Sequence, residues 1–164
     1  MDCCHLNGSD GCNGGDEDSA FDYAAINGTM SEADYKYTAQ TQECQYNDTL
    51  ITAARPKSRT NVLKNNATDL VAAVAKGPVS VALDATTLVF QFYTGGILNT
   101  PACGIELDHA VIVVGYGKDP IYGGYYIVRN SWGPLWGVNG YINIAIVDGE
   151  GICGIQQDAA YPNF

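Results

Sequence analysis

His109 and Asn130 stand 21 residues apart, each set in an apolar stretch: Leu107-Asp108-His109-Ala110-Val111 and Val128-Arg129-Asn130-Ser131-Trp132-Gly133. An imidazole held by a carboxamide is two-thirds of a catalytic triad. A thiol is mostly protonated at neutral pH, so a cysteine hydrolase must stabilise the thiolate. An adjacent imidazolium does this and later returns its proton to the leaving amine. A third polar group must hold the ring in the useful tautomer. His109 suits the second role and Asn130 the third. By themselves the two residues also fit a plainer account, a core histidine with a hydrogen-bonding neighbour.

The elements that must position them follow from pattern. Gly8-Ser9-Asp10-Gly11-Cys12-Asn13-Gly14-Gly15 is a glycine-rich loop, and Asp16 and Asp18 supply acidic first-turn residues for a helix through Ser19–Ile26 that Asn27-Gly28 stops. Residues 30–58 are polar and tyrosine-rich without a sustained period, as a loop would be. Thr68-Asp69 opens a second helix with Leu70, Val71 and Val74 on one face, ended by Lys76-Gly77-Pro78. Strand signals then take over. Val79–Leu83 alternates, Asp108–Gly115 is a buried-strand candidate, Gly124–Asn130 follows a glycine turn, and Tyr141–Ile146 places isoleucines on one face. Helix and loop first, mostly antiparallel strands after, implies an α+β protein with segregated lobes.

A chain of 164 residues is one domain or two small lobes sharing an interface, and 46% hydrophobic content is ample for a core. Its formal charge of −10 argues against nucleic acid and anionic membranes as partners. No apolar run approaches the roughly 20 residues of a bilayer span. The N-terminus, Met1-Asp2-Cys3-Cys4-His5, lacks the basic and apolar regions of a signal peptide. Six cysteines and four Asn-x-Ser/Thr sequons, at Asn7, Asn27, Asn47 and Asn66, nevertheless suit an exported protein. That mismatch is expected of a fragment. The two histidines lack a ligand-spaced partner, so no metal site and no cofactor are expected.

Several further motifs occur in one fixed order: Gly11-Cys12-Asn13-Gly14-Gly15, Asp108-His109-Ala110-Val111, Gly115-Tyr116-Gly117, Asn130-Ser131-Trp132-Gly133, Trp136-Gly137 and Asn139-Gly140-Tyr141. From residue 2 to residue 162 the chain resembles the papain-like cysteine peptidases, the group that includes the cathepsins. The resemblance implies their two-lobe α+β fold, here with residues 1–55 as a remnant of the helical lobe and 56–164 as the antiparallel β lobe with a C-terminal tail. It makes His109 the general acid/base, Asn130 its orienting partner, Trp132 a shield over their hydrogen bond and Trp136 the wall of the leaving-group side. Gly14 and Gly15 would lie beside substrate backbone. The main selectivity pocket would be lined by Asp16, Glu17, Ala82, Leu107, Asp108 and Ala110, with Asp158 at its floor. Of the carboxylates there, Asp16, Glu17 and Asp158 favour Arg or Lys, although Asp16 and Glu17 equally suit a helix start facing water. Cys3 would pair with Cys44 and Cys103 with Cys153, leaving Cys12 and Cys4 unassigned.

The family's nucleophile lies in a C-G-[SA]-C-[WY] motif about 130–150 residues before its His and Asn. Counted back from His109, that interval falls before residue 1. The motif, the oxyanion glutamine and the central helix of the first lobe are all absent from the sequence, so the chain alone is expected to be inactive, with a separate N-terminal segment as a possible partner. The full enzyme would act on proteins and peptides, meet protein inhibitors, and reside in a lysosome-like vacuole or outside the cell. A non-catalytic homologue that binds peptides or inhibitors, and an acidic glycosylated structural domain, are the alternatives.

Overall fold

The computed structural model describes residues 1–5, 9–50 and 55–164, so the sequon at Asn7 and the first glycine of the loop, Gly8, lie outside the described residues. The chain forms two compact units, Met1–Thr60 with Pro162–Phe164, and Asn61–Tyr161.

In the first unit, helix α1 (Glu17–Asn27) begins where Asp16 accepts the Ser19 N–H at 2.8 Å and the Ser19 hydroxyl at 2.7 Å. Glu17 and Asp18 add negative charge at the positive end of the helix dipole. Gly28 ends it at φ +79°, a left-handed conformation that costs glycine nothing, and its N–H donates to the Ala24 carbonyl. Arg59 clamps one face by meeting Asp18 at 2.6 Å and Asp22 at 3.0 Å. Residues 30–50 are irregular apart from a short turn at Asp48–Leu50. They are tied down by the Cys3–Cys44 disulfide and by Tyr35, whose hydroxyl donates to Asp2 and accepts from the Gln45 N–H. Cys4 and Cys12 are free thiols. Strand β1 (Ser58–Asn61) lies beside the chain's end, where Asn163 donates to the hydroxyls of Ser58 and Thr60.

The second unit is built on a sheet. Helix α2 (Ala67–Val74) precedes it, capped by Asn66, whose side chain accepts the Asp69 N–H at 2.9 Å. The start is therefore earlier than Thr68-Asp69, because Asn66 offers the first oxygen able to reach an exposed N–H. Leu70, Ala73 and Val74 form its buried face, and Val71 only flanks it. Next come β2 (Val79–Leu83), the single-turn helix α3 (Leu88–Gln91), β3 (Ile97–Leu98), β4 (His109–Asp119), β5 (Gly123–Arg129), β6 (Tyr141–Ala145) and β7 (Ala159–Asn163). Neighbouring strands run β7-β2-β4-β5-β6-β3; β2 is antiparallel to both β7 and β4, β5 is antiparallel to both β4 and β6, and β3 runs parallel to β6. Period-two alternation gives the core: Val79, Val81 and Leu83 from β2, Val111 and Val113 from β4, Tyr126 and Val128 from β5, Ile142 and Ile144 from β6. The β4–β5 register shifts between Val113 and Gly115. At Gly117 a Cβ would collide with the Tyr125 ring, whereas at Gly115 it would make only ordinary contact with Ile127, so the close approach concerns the second glycine of the Gly-Tyr-Gly motif. The Cys103–Cys153 disulfide closes the unit with both cysteines buried.

Candidate active site

His109 is the first residue of β4 and Asn130 follows the last residue of β5, so the pairing that sets Ile112 opposite Arg129 brings both to one end of the sheet. His109 Nε2 lies 2.8 Å from Asn130 Oδ1. The backbone N–H of Ser131 donates to the same oxygen at 2.7 Å. An N–H donor fixes that atom as the carbonyl oxygen, an acceptor only, so Nε2 must carry the proton. In the neutral ring the lone pair then belongs to Nδ1. Asn130 is buried, its N–H donates to the Gly140 carbonyl, and Gly140 in turn donates to the Trp136 carbonyl. The carboxamide is thus held at its backbone and at its oxygen.

Trp132 lies against the imidazole, with ring centroids 5.1 Å apart and planes 32° from parallel. It is held from behind by Phe90 at 5.5 Å and Trp136 at 5.4 Å, both edge-on. Trp136 packs on Phe90 and Tyr93, and its indole N–H donates to the Gln91 carbonyl at 2.9 Å. Helix α3 therefore supplies the base of the aromatic cluster. In the sequence Phe90, Tyr93 and Gln91 carry no site motif; the apolar run Leu88-Val89-Phe90 is the one signal that points to them.

Among the expected pocket residues, Asp158, Ala82 and Ala110 sit side by side. The Ala82 N–H donates to the Asp158 carbonyl at 3.0 Å, and Ala82 pairs with Ala110. Their strand neighbours Val81, Val111 and Ala159 are all buried, so alternation turns the trio to the opposite face, where Ala110 and Asp158 are exposed. Leu107 is partly exposed just before β4. Asp108 uses its carboxylate internally, accepting the Ala85 N–H at 2.8 Å. Nearby Asp84 is buried. Burial pushes its carboxyl up, but hydrogen bonds from the Thr86 hydroxyl and N–H and from the Glu106 N–H outweigh that and hold it below the usual range.

Gly14, Gly15, Asp16 and Glu17 belong to the first unit. Gly14 is exposed at φ +128°, with open space where a Cβ would be. Asp16 is committed to capping α1; burial raises its carboxyl, and the Ser19 hydrogen bonds and the Arg59 charge lower it further, to below the ordinary value.

A family model described as papain family cysteine protease matches residues 1–163. Vignain of Ricinus communis is 43% identical over 162 residues, covering 97% of this chain and 45% of its own length. Human cathepsin L2 is 42% identical over 175 residues, covering 99% of this chain and 50% of its own. The chain thus spans about half the length of the curated relatives it matches. Among solved structures, the bromelain protease of Ananas comosus, in complex with the E64 inhibitor, superposes with a TM-score of 0.89 at 40% identity, covering 99% of this chain and 74% of that one. A cysteine protease of Carica candamarcensis, also with E-64, gives 0.87 at 35% identity, over 99% and 73%. With its α+β fold and these relatives, the chain belongs to the papain family of cysteine proteases.

Proposed function

We propose that this chain carries the histidine–asparagine half of a cysteine endopeptidase site, together with part of its substrate cleft. The observation that supports this best is the hydrogen bond from His109 Nε2 to an Asn130 oxygen that is independently locked by the Ser131 N–H. In this reading Nδ1 of His109 takes the proton of a cysteine thiol. The thiolate attacks the scissile carbonyl, and the imidazolium protonates the leaving amine. The same nitrogen then draws a proton from the water that hydrolyses the acyl-enzyme. Asn130 keeps the ring in the productive tautomer, and Trp132 keeps water from their hydrogen bond. Trp136 borders the leaving-group side.

Gly14 and Gly15 pair with substrate backbone, while Ala82, Leu107, Asp108 and Ala110 line the selectivity pocket and Asp158 closes it. Asp158, at the floor of the pocket, carries the preference, and Asp108 accepts the Ala85 N–H. A charged hydrogen bond of about 1.5–3 kcal/mol favours Arg or Lys over Leu by roughly 10- to 100-fold. Substrates are proteins and peptides, protein inhibitors compete for the cleft, and the compartment is lysosome-like or extracellular. The 164-residue polypeptide has no C-G-[SA]-C-[WY] motif and does not hydrolyse peptides by itself.

Two assays test this. The isolated chain should give no turnover of fluorogenic peptides; turnover abolished by His109→Ala would refute the claim of inactivity. Joined behind the nucleophile-bearing segment of vignain, the chain should cleave peptides, with His109→Ala abolishing activity and Asp158→Ala erasing any Arg-over-Leu preference. A folded chimera indifferent to His109→Ala would refute the assigned role.

A further inference from the structure

Three of the four sequons lie among the described residues, and the structure treats them differently. Asn27 occupies the last turn of α1, half-buried, where its Nδ2 donates to the Tyr23 carbonyl at 3.2 Å and its carbonyl accepts the Tyr46 hydroxyl at 2.9 Å. A substituent on that nitrogen would have to fit at the half-buried helix end, beside the Tyr23 carbonyl. Asn66 is half-buried beneath the start of α2, which it caps. Asn47 is exposed, as are Asp48 and Thr49. Its Oδ1 accepts both the Thr49 hydroxyl at 2.8 Å and the Thr49 N–H at 3.0 Å, and its own carbonyl accepts the Leu50 N–H at 3.1 Å. Every one of these bonds is made within four residues, so the turn needs no other part of the fold.

We propose that Asn47 is an N-glycan acceptor site of this chain and that Asn27 is not. Two donors on Oδ1 draw electron density from the amide and make its N–H more acidic, while Nδ2 is left facing solvent. In the transfer, Nδ2 attacks C1 of a lipid-diphosphate-linked oligosaccharide. The N–C1 bond forms as the C1–O bond breaks, the lipid diphosphate leaves with the electron pair, and one amide proton passes to a base. A glycan so placed leaves all three turn hydrogen bonds intact, because none uses Nδ2. At Asn27 the same addition falls on a half-buried nitrogen already in use against the Tyr23 carbonyl.

The test is production of the chain behind a secretory leader in a yeast or insect host, with glycopeptides read by mass spectrometry on lumenal and secreted pools. Enzymatic glycan removal should convert Asn47 to Asp, and the mobility shift it accounts for should vanish in Asn47→Gln and in Thr49→Ala. That shift should persist in Thr49→Ser and in Asn27→Gln. Because glycans are added before folding is complete, the lumenal pool reports occupancy even where a variant is not secreted. An unmodified Asn47 peptide in the lumenal pool, or a glycan at Asn27 in secreted disulfide-bonded protein, overturns the proposal.

Discussion

Removing the hydroxyl of Tyr126 should weaken the second unit by a defined amount, and by an amount that changes with pH. Tyr126 is wholly buried in β5, and its hydroxyl donates to Gln156 Oε1 at 3.1 Å. Gln156 is buried too, and its Nε2 is fixed by the carbonyls of Val147 at 3.0 Å and Gly149 at 2.6 Å. In Tyr126→Phe the gap is one oxygen atom wide, so a cavity contributes little. The cost is the stranded Gln156 oxygen, about 1–3 kcal/mol. At about 2 kcal/mol per molar of urea, the unfolding midpoint should fall by roughly 1 M. The chain's two tryptophans, Trp132 and Trp136, both lie in this unit, so their emission follows its unfolding. Burial also raises the Tyr126 pKa above the ordinary phenol value of 10.0. The stability this group contributes is therefore complete below pH 10. As pH rises past 10 the unfolded chain ionises first, and the wild type loses about 1.4 kcal/mol per pH unit from this position while the phenylalanine variant loses none. The gap between the two should shrink by about 1.4 kcal/mol between pH 8 and pH 11, other tyrosines cancelling in the comparison. A gap that is constant or widens over that range would refute the account of Tyr126 as a buried, neutral donor.

Phe90→Ala should cost about 3–5 kcal/mol, since the ring is fully buried under both tryptophans, and it should red-shift their emission as water reaches them. Replacing Cys103 and Cys153 together by alanine should cost about 4 kcal/mol on the chain-entropy model for a separation of 50 residues, measured by urea unfolding against the oxidised parent. Asp84 has a lowered pKa, so its contribution is present above the unfolded value of 3.8 and is lost as pH falls through the lower folded one. Asp84→Asn should accordingly flatten the acid limb of the stability profile below about pH 4, read by acid titration of tryptophan emission.

What the sequence disclosed depended on how local each signal is. Strands β2 and β6 were legible because period-two alternation is written in five consecutive residues, and the buried set Val79, Val81, Leu83, Ile142 and Ile144 follows it. Helix α3 was not, because four residues carry no helical period and Thr87 makes no side-chain cap. Strand β3 is two residues long and pairs in parallel with β6, a contact with no sequence signature. The site divides in the same way. His109, Asn130, Trp132 and Trp136 were readable from ordered motifs, whereas Phe90 joins them only through tertiary packing across more than 40 residues of chain. Asp16 was legible as a helix start and does cap α1, whereas the use of the Asp108 carboxylate to accept the Ala85 N–H is one that spacing does not reveal.

The choice of a carboxamide at position 130 follows from its burial. An aspartate there would accept from both His109 and Ser131, but it would bring a net charge to a site only 7% exposed. Such a charge is costly unless paired, and the group able to pair with it is the His109 imidazolium. The imidazolium would then be stabilised by the residue meant only to orient it. In the proposed mechanism the imidazolium must instead balance a thiolate on Nδ1 and then give up its proton. A neutral acceptor fixes the tautomer without competing for that charge. Asn130→Asp in the active chimera should therefore fold and bind, yet turn over more slowly, with an altered pH profile of kcat/KM. A variant with unchanged rate and profile would show that orientation alone, independent of charge, is what position 130 supplies.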